Sequence, residues 1–261
     1  YTATTTGYSV VAFSEGALAD FSVAITDDSV VEVTENLLAT INNLNAQGRS
    51  VELVAPGVIT ITDADQASLS IDDITFIEGD SDTTLAQWTV TLDTEVDVPV
   101  TVDYGTVDGT AISATNGVSG DQDYLVSSGQ LTFVGQAGEQ QQISVYFNGD
   151  NVVEATETLS AILTNPAASG RSVVIGDSTG SLTITNDDSA VLSIQSSSTT
   201  TEGSDGQLVV TLSDPVDVNV SFDFTTADGS AVAPGDYTST SGSDISFSNA
   251  TAAPLSQVVS I

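Results

Sequence analysis

The side chains that could do chemistry in this sequence are almost all carboxylates. The chain has 36 Asp and Glu residues, and its only positive side chains are Arg49 and Arg171, so the formal net charge is −34. It contains no lysine, histidine, cysteine or methionine. These absences exclude an imidazole base, a thiol nucleophile, a Schiff-base amine and a disulfide, and they leave few ligands for zinc, copper or iron. The oxygen ligands that remain suit hard cations such as calcium and magnesium.

The negative charge also limits the partners that the chain can have. Nucleic acids need Lys and Arg to neutralise their phosphates, so they are excluded as partners, and anionic membrane surfaces are disfavoured for the same reason. No apolar run reaches the roughly 20 residues that span a bilayer, so we expect no membrane insertion. Without an initiator methionine or a signal peptide, the chain is expected to be a processed product or an internal piece of something longer. Because 40% of the residues are hydrophobic, we expect a folded chain.

The sequence repeats itself with a period of about 122 residues. The segment SVVEVTE at 29–35 returns as NVVEATE at 151–157, and GRSV at 48–51 returns at 170–173. A repeat of this length corresponds to one domain. We therefore predict the C-terminal part of a first unit at 1–66, a complete unit at 67–188, and the N-terminal part of a third unit at 189–261.

Within the complete unit, apolar residues alternate with polar ones, as in the run from Trp88 through Val90 to Leu92. This period of two, with many Thr and Val residues, predicts strands that bury one face. We predict an all-β fold of tandem immunoglobulin-like seven-stranded β-sandwiches. Pro99 lies at an outward position of the third strand, which predicts an edge or a bulge there. The predicted strands are 68–77, 85–92, 98–105, 129–134, 140–147, 157–163 and 180–186.

The acids of the complete unit follow the predicted strands. If consecutive strands alternate in direction, the first, third and fifth connections and the end of the last strand share one tip. Like charges gathered there repel one another and require a counter-ion. Calcium accepts about six to eight oxygens at loosely defined angles and is favoured over magnesium, whereas the alternative is a set of solvated turn residues. Seven carboxylates are predicted to converge: Glu78, Asp108, Asp150, Glu154, Glu157, Asp187 and Asp188.

Asp123 is interpreted differently from these seven acids. It precedes Tyr124, and the pair recurs as Asp236-Tyr237. Because Asp123 lies deep in the connection between the third and fourth strands, we expect it to form a local hydrogen-bonded turn.

Taken together, these features resemble the Calx-beta repeat, which is found in the regulatory domains of sodium–calcium exchangers and in many large bacterial surface proteins. The resemblance is carried by IEG at 77–79, GTVDGTA at 105–111, DQDY at 121–124, the acids of 149–157, and LTITNDD at 182–188. It spans essentially the whole chain as repeats, and it implies that the seven acids bind calcium. In the incomplete units it points to Asp28, Glu32, Glu35, Asp63 and Asp65, and to Glu202 and Asp228.

Two departures from the family pattern imply fewer ions or weaker sites. Asn148-Gly149-Asp150 stands where calcium-binding members have two or three acids. Asn186-Asp187-Asp188 stands where those members have three acids. Fewer carboxylates provide less negative charge to hold a divalent ion.

Two functions are compatible with such a site. Asp187 and Asp188 directly precede the next unit, so bound calcium would stiffen the joint between neighbouring repeats. The first hypothesis is a spacer segment of a large secreted or cell-surface bacterial protein such as an adhesin. The second is an extracellular filament subunit that joins copies of itself head to tail by sharing strands between incomplete terminal repeats. An enzyme is not expected, because the paired acids lie on an exposed tip and repeated units are typical of structural proteins.

Overall fold

The computed structural model describes residues 22–42, 44–52, 54, 56–80, 83–115, 122–248 and 255–260. Following the repeat, we refer to the described residues before 67 as the first unit, to those of 67–188 as the central unit, and to those from 189 onward as the third unit. All regular elements in these ranges are strands, and no helix there is long and apolar enough to cross a membrane.

The strands are short in the outer units and longer in the central one. The first unit contributes β1 (Glu35–Ala39) and β2 (Gly57–Ile61). The central unit contributes β3 (Ala67–Ile71), β4 (Ile74–Ile77), β5 (Thr83–Leu92), β6 (Val100–Asp108), β7 (Ser113–Ala114), β8 (Tyr124–Leu125), β9 (Ser128–Phe133), β10 (Glu139–Asn148), β11 (Glu157–Ala167), β12 (Val173–Ile175) and β13 (Thr179–Thr185). The third unit contributes β14 (Leu192–Ile194), β15 (Gln207–Leu212), β16 (Val220–Thr225), β17 (Ser241–Phe247) and β18 (Leu255–Ser260).

Two sheets face each other in the central unit. One has the order β12-β3-β5-β10-β8-β7, and the other has the order β4-β13-β11-β6-β9. Their inward rows form one core that includes the fully buried Trp88 and Phe133. The Trp88 Nε1 donates a hydrogen bond to the Ser181 carbonyl at 3.2 Å, which ties β5 of one sheet to β13 of the other. This architecture confirms the predicted all-β, immunoglobulin-like sandwich.

The first predicted strand, 68–77, is wrong as a single element, because the chain crosses between the sheets at Asp72-Asp73. Strand β3 pairs with β5 and β12, whereas β4 pairs with β13. The Asp72 Oδ1 accepts a hydrogen bond from the Thr89 amide at 2.6 Å. The Asp73 Oδ1 accepts hydrogen bonds from the amide and the hydroxyl of Ser181, both at 2.7 Å. The two carboxylates therefore fix the crossing to both sheets.

The edge position predicted for Pro99 is also wrong. Pro99 precedes β6, which lies between β11 and β9 inside its sheet. An irregularity of the predicted kind is present nearby, because the register of β11 on β6 shifts between Thr164 and Ala167. The short strands β7, β8 and β12 were not predicted, because two or three residues are too few to show a period of two.

In the outer units the structure describes smaller sheets. Strands β1 and β2 form an antiparallel pair, and the third unit forms the sheets β14-β15-β18 and β16-β17. The third unit has a separate small core around Val210, Leu212, Phe247 and Val259.

Candidate metal centre

Hydrogen bonds bring the predicted acid-bearing segments together at one tip of the central unit. The amide of Gly79, in the turn after β4, donates to Asp187 Oδ1 at 3.0 Å. The amide of Glu154, in the 149–156 loop after β10, donates to Asn186 Oδ1 at 3.0 Å. The residues that follow β13 therefore hold both the turn and the loop. We refer to this turn, this loop and residues 186–188 as the acid tip.

Two glycines allow the turn and the loop to touch. Gly79 has a φ of +82°, a backbone conformation that favours glycine. A Cβ added to Gly149 would lie 2.2 Å from the carbonyl oxygen of Gly79, so the two backbones meet only where no side chain intervenes. This close approach sets the distance between the acids of the turn and those of the loop.

Glu78 is the most buried carboxylate of the acid tip, with 8% of its surface exposed. Burial raises the pKa of Glu78, and the charges of Glu154, Asp150 and Asp188 raise it further, to about 8. A carboxyl with this pKa holds its proton at neutral pH unless positive charge is supplied.

Glu154 and Glu157 form a second group of acids beside Glu78. Burial and then the charge of Asp123 raise the pKa of Glu154 to about 7. Burial and Asp123, which also shares a hydrogen bond with Glu157, raise the pKa of Glu157 to about 7. The Asp123 Oδ2 also accepts a hydrogen bond from the Ile112 amide at 2.6 Å. Asp123 thus makes a local bond of the kind predicted, and it also belongs to the acid group, which the sequence reasoning missed.

Asp188 provides the test of whether a cation fits. Its Oδ2 is buried and has no hydrogen-bond partner in the part of the chain that the structure describes. Burial raises the pKa of Asp188, and the charges of Asp80, Asp187 and Asp150 add to this effect. An unpaired buried oxygen destabilises a fold by about 1–3 kcal/mol, and a bound cation would satisfy it. The available donors are all oxygens, as calcium requires.

The carboxylates of the acid tip are not yet arranged as a coordination shell. In the described ranges, no group of three or more acidic side chains is positioned to hold a metal ion as it stands. Carboxylates repel one another, and a cation supplies the attraction that draws them together. The residues therefore fit calcium by donor type and by the unpaired Asp188 oxygen.

Asp108 has a different environment from the other predicted ligands. The Tyr124 hydroxyl donates a hydrogen bond to Asp108 Oδ1 at 2.5 Å, and this bond is the main reason why the pKa of Asp108 is lowered. The third unit repeats the arrangement, since the Tyr237 hydroxyl and the Ala233 amide donate to Asp228 Oδ1 at 2.8 and 3.0 Å. In both aspartates, one carboxylate oxygen therefore accepts hydrogen bonds that hold the connection after the third predicted strand. The sequence analysis assigned both aspartates to calcium, and the recurring tyrosines, Tyr124 and Tyr237, are the signal from which this role could have been found.

The first unit gathers its own predicted acids around Glu32. The Glu32 amide donates to Asp63 Oδ2 at 3.1 Å. Burial raises the pKa of Glu32, followed by the charges of Glu35, Asp28, Asp97 and Asp63. The pKa of Asp65 is raised by burial and by the charges of Asp63, Asp27 and Asp28. In contrast, Glu202 is exposed in a turn of the third unit, and within the described residues no hydrogen bond joins it to Asp228.

A backbone bridge connects each unit to the next one beside these acids. Val31 forms a parallel bridge with Val96, and Val153 forms the same bridge with Val216. In both cases the first valine donates its amide to the carbonyl of the residue before its partner, at 2.8 and 2.9 Å. Its carbonyl accepts from the amide of the residue after its partner, at 3.3 and 3.2 Å. The two joints therefore have one geometry.

Comparisons with known proteins agree with the repeat. The model of the Calx-beta domain matches residues 4–67, 63–189 and 185–253. Similar solved structures include the apo-form Calx CBD1 domain, with 21% identity over 48% of this chain and 100% of that chain and a TM-score of 0.39. They also include CBD12 from CALX1.2, with 19% identity over 74% of this chain and 73% of that chain and a TM-score of 0.38. No curated protein matches the chain. Because the family matches cover nearly its full length, the chain belongs to the Calx-beta domain family.

Proposed function

We propose that this chain is a structural segment whose tandem repeats are stiffened by calcium at the acid tips. The observation that carries the proposal is the buried, unpaired Asp188 Oδ2 at the point where the central unit leads into the third. The buried Glu78 beside it, with a pKa raised to about 8, also requires positive charge in order to ionise. The family resemblance favours calcium as that charge, and an oxygen-only donor set supports it.

The residues of the acid tip divide into ligands and supports. The carboxylates that would hold calcium are Glu78, Asp150, Glu154 and Asp188, with Asp123 and Glu157 beside them. Bound calcium supplies the positive charge that lets these acids ionise together. Asp187 and Asn186 serve as supports, because they accept the backbone amides of Gly79 and Glu154.

The position of the acid tip explains how an ion would stiffen the chain. Only three residues separate Asp188 from Leu192, where β14 of the third unit begins. An ion that fixes Asp188 against the turn and the loop therefore limits the directions in which the third unit can leave. We infer a spacer role in a large secreted or cell-surface bacterial protein such as an adhesin, where calcium at about 10⁻³ M is concentrated enough to occupy weak sites.

A head-to-tail filament is the alternative function. It would use apolar side chains on the outer units, among them Val58 on β2 (60% exposed) and Leu192 and Ile194 on β14 (41% and 54%). Strands of another copy could cover these faces. Sedimentation velocity with calcium over a wide range of protein concentration distinguishes the two functions. Growing oligomers support the filament, and a constant monomer supports the spacer.

Thermal unfolding tests the calcium proposal. Trp88 is the only tryptophan and is fully buried in the central unit, so its fluorescence reports the unfolding of that unit within the whole chain. Calcium should raise the melting temperature of the natural protein relative to chelator, but not that of the double variant Glu154→Gln/Asp188→Asn. The control Asp177→Asn removes a charge at the other end of β13 and should keep the full rise. Equal melting temperatures of the natural protein in calcium and chelator would defeat the proposal.

A further inference from the structure

The outward residues of β3, β5 and β10 in the central unit include no charged side chain. These three strands are neighbours in one sheet, and their outward residues are Ser, Thr and Gln, apart from the cross-strand pair of Leu85 and Tyr146. We refer to these outward residues as the neutral face. They alternate with inward residues from Ser68 to Ser70 on β3, from Leu85 to Thr91 on β5 and from Gln140 to Tyr146 on β10.

The lack of charge on the neutral face stands out in a chain with 36 Asp and Glu residues. The opposite sheet carries an outward acid, Asp103 on β6. Two acids, Asp72 and Asp93, border the neutral face, and each accepts a backbone amide, from Thr89 and Ser68 respectively, at 2.6 Å. Both bordering carboxylates therefore hold the edges of the strands.

The third unit distributes its charge in the same way. The segment VTVDYGT at 100–106 returns as VSFDFTT at 220–226, so β16 carries Asp223 where β6 carries Asp103. In the other sheet of the third unit, the outward residues of β14, β15 and β18 are again uncharged. However, β15 and β18 pair Val209 with Val258 at the centre of that face. The uncharged face is thus a property of the repeat, whereas its polar centre belongs to the central unit.

The centre of the neutral face is a shallow groove of about 570 Å³ between β5 and β10. The Gln87 Nε2 donates a hydrogen bond to Ser144 Oγ at 3.0 Å, which uses one of its two amide hydrogens. Gln142 is exposed, and its amide makes no hydrogen bond to another residue of the described ranges. Donors and acceptors therefore remain for a ligand. The lining consists only of uncharged polar residues: Gln87, Thr89, Gln140, Gln141, Gln142 and Ser144.

The charge of the chain restricts what this groove can hold. An acidic partner, including a second copy with its own charge of −34, is repelled, and a basic partner is drawn to the acids instead of to an uncharged face. A neutral polysaccharide experiences neither force. Its hydroxyls donate and accept hydrogen bonds, as glutamine amides and Ser and Thr hydroxyls also do. Tyr146 is 47% exposed and offers an aromatic ring against which the apolar side of a sugar can pack.

We propose that the neutral face of the central unit binds an uncharged polysaccharide. Gln87 and Gln142 supply the hydrogen bonds in the groove, and Tyr146 packs against a sugar ring at its end. The site uses none of the carboxylates of the acid tip, so this inference goes beyond the proposed function and does not depend on calcium. The segment would then attach to a polysaccharide as well as act as a spacer.

Affinity electrophoresis of the full chain tests this inference. Native gels contain one neutral polysaccharide each, namely amylose, mixed-linkage β-glucan, mannan or dextran, and a gel with alginate provides the anionic control. At least one neutral polysaccharide should slow the natural chain, and alginate should not. The retardation should persist in chelator, provided that the gel is run below the melting temperature.

Variants show whether the neutral face is responsible for the retardation. Gln87→Ala/Gln142→Ala should bind about tenfold more weakly. The control Gln130→Ala removes an exposed glutamine from β9 in the opposite sheet and should be slowed like the natural chain. Trp88 fluorescence melts check that each variant is folded. If the double variant is not, Gln142→Glu takes its place, because it keeps the size of the side chain and removes the amide donors.

The outcomes that overturn the inference are distinct from a failure of the calcium proposal. The inference fails if none of the neutral polysaccharides slows the natural chain, or if the natural chain and the folded groove variant are slowed equally. It also fails if the natural chain self-associates in sedimentation velocity and the groove variant does not, because a second copy would then occupy the face. A chain that is slowed by a polysaccharide but whose melting temperature does not respond to calcium keeps this inference and loses the proposed function.

Discussion

At the scale of single residues, the acids of the acid tip and the adjacent Glu157 differ from ordinary surface acids in the pH at which they release their protons. Glu78, Glu154 and Glu157 have pKa values raised from 4.5 to about 8, 7 and 7 by burial and by neighbouring charges. The folded chain without metal therefore keeps protons that the unfolded chain has already released. Stability from these groups is fully present below pH 4.5 and is lost as the pH rises to about 8.

We therefore expect the melting temperature of the central unit in chelator, followed by Trp88 fluorescence, to fall between pH 5 and pH 8. Calcium competes with these protons, so the rise that it produces should be larger at pH 8 than at pH 5. Fluorescence melts at several pH values check both trends. The variant Glu78→Gln should show a shallower fall in chelator, and a melting temperature that rises from pH 5 to pH 8 in the natural chain would contradict the prediction.

Sequence reasoning found those acids that recur, and it missed those placed by contacts between units. Glu78, Asp150 and Glu154 could be predicted, because each follows a strand in a repeated pattern. The position of Asp217 beside Glu154 could not be predicted, since the bridge between Val153 and Val216 determines it and no local pattern encodes that bridge.

At the scale of elements, the strands were predictable wherever one face is buried. The run that contains Trp88 shows the period of two clearly, and β5 covers it. The change of sheet at Asp72-Asp73 was not predictable, because the apolar alternation continues on both sides of it. What breaks the strand is a pair of side-chain hydrogen bonds to two different sheets.

The contact between the turn after β4 and the 149–156 loop leads to a prediction about Gly149. Replacing Gly149 by alanine places a methyl group against the Gly79 carbonyl, so the loop must move away. We expect the Gly149→Ala variant to be less stable by about 1–3 kcal/mol and to bind calcium more weakly. Urea unfolding followed by Trp88 fluorescence measures the loss of stability.

Gly105→Ala serves as the matched control for this prediction. Its added methyl group would meet only the Ser128 Cβ, at 3.9 Å, which is an ordinary contact. We expect it to change the free energy of unfolding by less than about 1 kcal/mol and to leave calcium binding unchanged. Equal effects of the two variants would show that the close approach of the turn and the loop does not matter.

At the scale of the whole molecule, the negative charge of the chain acts most strongly at the joints between units. A net charge of −34 makes the units repel one another, and the repulsion is strongest where acids gather at the joints. Calcium at the acid tips would remove this repulsion locally, whereas dissolved salt only screens it over a distance of about 8 Å at physiological ionic strength.

Small-angle X-ray scattering should show this difference. In chelator, we expect a broad distribution of the radius of gyration, because the units take many relative orientations. In calcium, we expect a narrow distribution that matches one arrangement of the units. Magnesium at equal concentration is the control, because it prefers strict octahedral geometry and retains its water. Identical distributions in calcium, magnesium and chelator would contradict the stiffening role.

The side chain of Val31 has a consequence for how these repeats can be divided. It comes from the first unit, yet it is fully buried in the core of the central unit, beside Val96. A fragment that begins at residue 67 would therefore lack one buried side chain of its core, although the sequence repeat begins there. Tension along the protein would likewise pass from the first unit to the central one through this buried contact, and the core of the central unit extends beyond the repeat that encodes it.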